Sequence, residues 1–139
     1  MNKITVKATQ GELVQVLNFI SKELGRHGIA PKARLQVMIA VEEIYINIVS
    51  YAYTVSGGEV EVECSFTKES DSITITFIDS GTPYNPLEKK NPDTTLASED
   101  REIGGLGIYL VKKSMDKVLY EFKNDKNRLT IIKNIVNDF

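Results

Sequence analysis

The stretch EVEVECSFTKESDSITITFID, residues 59–79, decides the fold of this chain. In 59–67, three glutamates alternate with two valines and Cys64, which is the period-two pattern of a half-buried strand. The segment SITITFID, 72–79, predicts a second strand. Because only a short turn joins these two strands, we expect them to pair antiparallel.

The sequence on either side of this hairpin predicts helices and further strands. Period-two alternation, helical spacing of apolar residues and turn residues locate them. The predicted elements are, in chain order, a strand at 4–8, helices at 11–27 and 31–53, the two strands of the hairpin, a helix at 105–116, and strands at 117–123 and 128–136 around a turn at Asn124-Asp125. This order predicts an α+β fold, a layered sandwich rather than a doubly wound parallel sheet.

Length, composition and charge limit the class of protein. With 139 residues, 42% of them hydrophobic and 26% charged, the chain is expected to form a single globular domain, 1–139. A formal net charge of −2 gives no electrostatic basis for binding nucleic acid or an anionic membrane. A lone cysteine and the lack of a visible signal peptide or membrane span indicate a cytoplasmic protein.

The second predicted helix is apolar nearly all round, except for one stripe. That stripe recurs at helical spacing and consists of Gln36, Ala40, Glu43, Asn47 and Ser50. Glu43 and Asn47 therefore lie side by side, and a divalent cation with its waters would satisfy such oxygen groups on a largely buried helix. The stripe is equally consistent with the solvent face of an amphipathic helix. Glu42 points about 100° away from Glu43 and is expected to be structural.

Asp79 ends the second strand of the hairpin with the same parity as Ile73, Ile75 and Phe77. A carboxylate at the end of a core-facing row requires a specific partner. Ser80 and Gly81 follow directly, however, and an aspartate before glycine usually caps a turn. The strand alone leaves both interpretations open.

A glycine cluster, Gly104-Gly105-Leu106-Gly107, precedes the third predicted helix. Glycines at a helix start let backbone N–H groups approach an anion, although a tight loop would also explain them. The cluster is neither a Walker A loop nor a dinucleotide-binding fingerprint. Between Asp79 and this cluster runs a long polar segment, 80–103, which we expect to be a lid over a ligand held by both.

Together these places resemble the GHKL (Bergerat-fold) ATPase superfamily, and within it the anti-sigma-factor serine/threonine kinases. EIYINIVSYAY at 43–53 is similar to the family's N-box, E-x-x-x-N-x-x-x-H-x-Y, with Tyr51 in place of the histidine. DSGTPYNP at 79–86 is similar to the first glycine box, D-x-G-x-P. GGLGIYLV at 104–111, followed by Met115-Asp116, is similar to the second. The three motifs occur in the family's order and span essentially the whole chain.

The resemblance implies a Bergerat-type two-layer α/β sandwich, with a mixed, mostly antiparallel sheet and helices on one face. It also implies ATP and Mg²⁺ as cofactors. Asn47 would hold the Mg²⁺ and Glu43 would be the general base toward the hydroxyl that is phosphorylated. Asp79 would accept a hydrogen bond from the adenine amino group. Gly81 would let the base approach closely, and Pro83 belongs to the same nucleotide-binding motif.

The resemblance further implies that the second glycine box binds the phosphates. Gly105 and Gly107 would place backbone N–H groups near them, and Gly104 and Leu106 belong to the same motif. Arg101, in the expected lid, is assigned to the γ-phosphate.

The leading functional hypothesis is an ATP-binding anti-sigma factor that phosphorylates a serine or threonine of a STAS-type antagonist protein. The resemblance implies a sigma factor and this antagonist as partners, and a homodimer. The alternative is a nucleotide-dependent binding module that transfers no phosphate. Retention of Glu43 favours the kinase, because binding alone requires Asn47 and Asp79 but no base.

Overall fold

The computed structural model describes residues 1–52, 58–88 and 105–135. The strands are β1 (Asn2–Lys7), β2 (Glu59–Thr67), β3 (Ser72–Asp79), β4 (Lys117–Lys123) and β5 (Lys126–Asn134). The helices are α1 (Leu13–Arg26), α2 (Pro31–Asn47) and α3 (Gly105–Ser114). Short 3-10 turns cover Gln10–Glu12 and Pro86–Glu88, and a π-helical turn covers Ile48–Ala52.

The five strands form one sheet in the order β1-β2-β3-β5-β4. Each neighbouring pair among them is antiparallel, so the described sheet contains no parallel pair of the kind a mixed sheet would have. The hairpin predicted from residues 59–79 has the expected bounds, with Cys64 opposite Ile75. The prediction of an α+β sandwich is confirmed.

The core lies between this sheet and the helix layer. Side chains alternate between buried and partly exposed along β2 and β5, as expected for a sheet that is covered on one face. The middle strand β3 is buried at nearly every position. Helix α2 contacts both α1 and α3, and its Tyr45 is fully buried with the hydroxyl donating to the carbonyl of Thr9 at 2.6 Å. This hydrogen bond ties the buried part of α2 to the segment that follows β1.

Helix α2 ends earlier than the sequence pattern predicted. We expected it to continue to Tyr53, but regular α-helix stops at Asn47 and a π-helical turn follows. The Asn47 side chain donates to the carbonyl of Glu43 at 2.7 Å. Such a side-chain bond competes with the helical ladder and favours a local bend. The helix therefore changes its geometry at the residue predicted to bind the metal.

The last hairpin also differs in one respect. Its turn is at Asn124 and Asp125, as predicted, and both residues have positive φ, 56° and 61°. A two-residue turn of this kind lets the strands continue directly into it. Strand β5 consequently begins at Lys126 rather than at 128, and Asn127 becomes part of the sheet.

Two further findings concern the expected lid and the possibility of a membrane span. Of the expected lid 80–103, the structure describes residues 80–88, so its closure over a ligand stays a prediction. Among the described helices, none has the length and apolar character needed to span a bilayer.

Candidate nucleotide site

Asn47 is the central polar group on α2. Its side chain is 5% exposed. The side-chain nitrogen donates to the Glu43 carbonyl, while the side-chain oxygen, Oδ1, is buried and has no hydrogen-bond partner among the described residues. An unpaired buried acceptor is costly, and a hard cation would satisfy it. The structure therefore favours the metal-binding interpretation of the polar stripe at this position.

Glu43 lies one helical turn before Asn47, and its carboxylate contacts the start of α3. A Cβ atom added at Gly107 would overlap the Glu43 Oε2 atom and would lie 2.7 Å from its Cδ atom. Position 107 thus has to be glycine for this carboxylate to stay where it is. The neighbouring Glu42 is exposed, whereas Glu43 is half-buried, so the two glutamates face different surroundings.

The start of α3 contributes backbone donors to the same place. Gly105, Leu106 and Gly107 form the first turn of this helix. The N–H groups of a first helical turn have no intrahelical acceptor, and the helix dipole is positive at that end. The element can therefore bind an anion beside Glu43, which agrees with the predicted phosphate-binding role of the glycine box.

Asp79 is held at the end of β3 and is 4% exposed. Its Oδ1 atom accepts hydrogen bonds from the Gly81 backbone and from Asn127 Nδ2, both at 2.9 Å. Burial raises the pKa of the Asp79 carboxyl, while the bonds from Asn127 and Gly81 act in the opposite direction. The turn-capping interpretation is thus correct for the bond from Gly81. It does not account for the depth of the carboxylate or for its second partner.

Asn127 is a site residue that the sequence analysis missed. It lies directly opposite Asp79 in the sheet and is 3% exposed. The sequence pattern predicts that β5 begins at 128, which leaves Asn127 in the turn, where asparagine is common. Its parity with Leu129 and Ile131 would have marked it as a polar residue on a core-facing row.

These groups line one small cavity. Its walls are formed by Ile44, Asn47, Ile48, Asp79, Tyr84, Pro86, Tyr120, Asn127 and Leu129. The two predicted ligand-binding residues from α2 and β3 are therefore brought together. The free space between the side chains is only about 10 Å³, roughly enough for one water molecule. A purine base is too large for this space, so one wall of the cavity would have to move. Tyr84 forms one such wall, and it lies in the loop after β3, outside the sheet and helices.

Tyr51 and Tyr84 connect the N-box to the first glycine box. Their rings stack with centroids 5.2 Å apart and planes 21° apart. Tyr51 follows α2 at the N-box position where the family often has histidine, and Tyr84 belongs to the first glycine box. Aromatic stacking of this kind adds about 0.5–1.5 kcal/mol beyond burial. Tyr51, which stands in place of the family's histidine, thus has a structural role in joining the two motifs.

The donor set fits Mg²⁺ bound together with a nucleotide rather than an all-protein metal site. Among the described residues, no group of three or more His, Cys, Asp or Glu side chains could hold a metal ion. Mg²⁺ usually keeps several waters and binds through one or two protein groups plus substrate phosphates. The unpaired Oδ1 of Asn47, beside an anion-binding helix start, matches that pattern.

The remaining predicted site residues are Pro83, Arg101 and Gly104. Pro83 is exposed in the loop after β3. Arg101 and Gly104 lie outside the described residues, so their assignments stay predictions.

Comparison with known proteins finds relatives of the chain as a whole. One curated relative is the serine/threonine-protein kinase BtrW of Bordetella bronchiseptica. It is 24% identical over 100 residues, which is 72% of this chain and 70% of that protein.

Two solved structures share the fold. The RsbU and RsbW domains of Rv1364c from Mycobacterium tuberculosis match 99% of this chain with a TM-score of 0.67 and 12% identity. This chain spans only 34% of that longer one. The histidine kinase domain of the blue-light activated histidine kinase EL346 from Erythrobacter litoralis matches 90% of this chain and 60% of its own, with a TM-score of 0.59 and 14% identity.

The family itself is established by a match over most of the chain. A family model described as the histidine kinase-like ATPase domain matches residues 6–133. That range contains all three motifs and every element of the candidate site. The resemblance inferred from the motifs is therefore confirmed, and the chain belongs to the histidine kinase-like ATPase domain family, whose members bind ATP.

Proposed function

We propose that this chain is an ATP- and Mg²⁺-dependent protein kinase that phosphorylates a serine or threonine. The observation that carries the proposal is the position of the Glu43 carboxylate. It lies against Gly107 at the anion-binding start of α3, one helical turn from the unpaired Oδ1 of Asn47. A site that only bound nucleotide would have no need of a carboxylate at that point, where it would face phosphate charge.

In this proposal, some residues of the chain bind the nucleotide and its metal ion, and one residue accepts a proton. Asp79 accepts a hydrogen bond from the adenine amino group, and the first turn of α3 donates to the phosphates. Asn47 holds Mg²⁺, which, when bound, supplies neutralisation of the phosphate charge. Glu43 accepts the proton of the attacking hydroxyl. The new O–P bond to that hydroxyl forms as the bond to the β-phosphate oxygen breaks, and ADP leaves.

The partners follow from the resemblance to anti-sigma-factor kinases. In this proposal the acceptor hydroxyl belongs to a STAS-type antagonist protein, and the chain also binds a sigma factor as a cytoplasmic homodimer. Support comes from the relative named a serine/threonine-protein kinase and from the fold shared with a structure that contains an RsbW domain.

The test compares substitutions at Glu43 and at its neighbour Glu42. Glu43→Ala is expected to abolish phosphoryl transfer while largely sparing ATP affinity, because a general base acts on the transition state more than on binding. General-base removal typically lowers the rate by about 10²–10⁴-fold. Transfer of labelled γ-phosphate to the antagonist, and ATP binding by calorimetry, would be measured on the same preparations.

Glu42→Ala is the matched control, since it removes an exposed carboxylate from the next position of the same helix. It is expected to leave transfer largely intact. If Glu42→Ala stops transfer and Glu43→Ala does not, the assignment of the base is wrong. If the wild-type chain binds ATP but phosphorylates no partner, the nucleotide-dependent binding module is the correct function and Glu43 has a role in orienting the metal.

A further inference from the structure

We propose that Asn127 is a positioning residue for nucleotide recognition, which fixes Asp79 and the following loop in the orientation that accepts the base. This inference rests on the proposed binding of ATP at the cavity. It adds a residue from β5 to a site that the sequence motifs had confined to α2, β3 and α3.

Hydrogen bonds fix the orientation of the Asn127 amide. Its Oδ1 atom accepts from the Tyr84 backbone N–H at 3.1 Å and from the Tyr120 hydroxyl. Its Nδ2 atom donates to Asp79 Oδ1 at 2.9 Å and to the Thr82 carbonyl at 3.0 Å. Because a backbone N–H can only donate, the oxygen of the amide must face Tyr84, and the NH₂ group must face Asp79.

The same amide joins strand and loop. One NH₂ group binds the Asp79 carboxylate and the backbone of the first glycine box, whose Gly81 carbonyl is also within 3.5 Å. The carbonyl of the amide binds that loop again at Tyr84. Asn127 therefore couples the position of the carboxylate to the position of a cavity wall.

This arrangement leaves one carboxylate oxygen for a ligand. Both hydrogen bonds described at Asp79 are accepted by Oδ1, from Asn127 and from the Gly81 backbone. Rotation of the carboxylate would break both. The geometry thus presents Oδ2 as the acceptor for an exocyclic amino group. It also lowers the pKa of Asp79 against the effect of burial, which favours the ionised acceptor form.

The test uses an isosteric substitution whose effect on ATP affinity should depend on pH. In Asn127→Asp, the new carboxyl can donate to Asp79 only when it is protonated, since two ionised carboxylates in contact repel each other. We expect its ATP affinity to be near wild type at about pH 5.5 and to fall at least about tenfold by about pH 8. Wild-type affinity is expected to stay level or to increase over that range. The titratable groups around the amide are Asp79, Tyr84 and Tyr120, with Glu88 near Tyr120.

Thr130→Val is the matched control. Thr130 also joins β5 to β3 through a side-chain hydrogen bond, to Thr76 at 3.2 Å, but on the opposite face of the sheet. A purely structural role for Asn127 would make the two variants alike, with reduced thermal stability and an unchanged pH profile of ATP binding. That outcome would overturn the proposal.

Two further measurements keep the proposal testable if a variant folds poorly or if ATP does not bind. Tyr120→Phe removes one of the two donors to the Asn127 oxygen, and we expect a smaller loss of ATP affinity than in Asn127→Ala. In the absence of nucleotide, NMR titration of the Asp79 carboxyl should give a higher pKa in Asn127→Ala than in the wild type. An unchanged pKa would contradict the positioning role of Asn127 by itself. Failure of the wild type to bind ATP would overturn the proposed function and, with it, the role of Asn127 in nucleotide recognition.

Discussion

At the scale of single residues, the site depends on polar side chains that the fold buries at a cost. An ionised carboxylate at 4% exposure is destabilising unless its hydrogen bonds compensate. Asp79 has two such bonds, yet burial still raises its pKa. A raised pKa means that the native state binds more protons than the unfolded chain. The contribution of this carboxyl to stability is therefore greatest at low pH and decreases as pH rises through its folded pKa.

Asp79→Asn should consequently weaken ATP binding without lowering the stability of the fold. We expect thermal stability at neutral pH to be equal to or higher than that of the wild type, since the buried charge is removed while an amide oxygen can still accept from Gly81 and Asn127. ATP affinity should fall by about 10- to 150-fold, the equivalent of about 1.5–3 kcal/mol for a hydrogen bond to a charged group. Thermal unfolding and calorimetry on one preparation provide the check, and equal ATP affinity would disprove the adenine assignment.

The sequence singled out Asn47, on the one polar stripe of an otherwise apolar helix, and Asp79, at the end of a core-facing row, and the structure places both at one cavity. Asn127 is also a polar residue on a core-facing row but was missed, since the boundary of its strand depends on a two-residue turn whose positive φ values are set by tertiary pairing. The stacking of Tyr51 on Tyr84 could not be predicted either, because it joins residues that are distant in sequence.

At the scale of elements, the proposed phosphoryl transfer depends on the contact between α2 and α3. The sequence predicted both helices and a glycine cluster at the start of the second one. It did not predict that Gly107 lies directly against Glu43. That contact arises from the packing of α3 on α2. The hydrophobic periodicity did not predict the change to π-helix after Asn47, which occurs where the Asn47 side chain binds the Glu43 carbonyl.

Gly107→Ala tests this contact. The added methyl group would overlap the Glu43 carboxylate, which is the flexible end of its side chain and can move away. We therefore expect the fold to persist, with a gain in helix propensity of up to about 1 kcal/mol. Phosphoryl transfer should nevertheless fall strongly, because a displaced carboxylate no longer lies at hydrogen-bond distance from the hydroxyl that it deprotonates.

Gly25→Ala is its control. Gly25 also lies in a helix, and a Cβ atom there would come no closer than 3.8 Å to a side chain, that of Arg34. It should stabilise the protein by about 0.5–1 kcal/mol and leave transfer unchanged. Transfer at the wild-type rate in Gly107→Ala would mean that Glu43 does not act from the position it occupies against α3.

At the scale of the whole molecule, one sheet and one helix layer bring together groups from distant parts of the chain. The sheet order places β5 next to β3, so that Asn127 meets Asp79, while α2 crosses the core and presents Asn47 to the same cavity. The sequence predicted the class and the order of elements, and the motif resemblance anticipated the family. Register and side-chain contacts across the sheet required the structure.

The central claim is that Asn47 and Asp79 form a single Mg²⁺-dependent ATP site, and calorimetric titration with ATP tests it most directly. Wild-type protein is expected to bind ATP more tightly with Mg²⁺ than without it. Asn47→Ala should lose that difference, because it removes the buried oxygen that has no partner among the described residues. Asn18→Ala, which changes an exposed asparagine on α1, should retain it. A Mg²⁺ effect of equal size in wild type and Asn47→Ala would contradict the account.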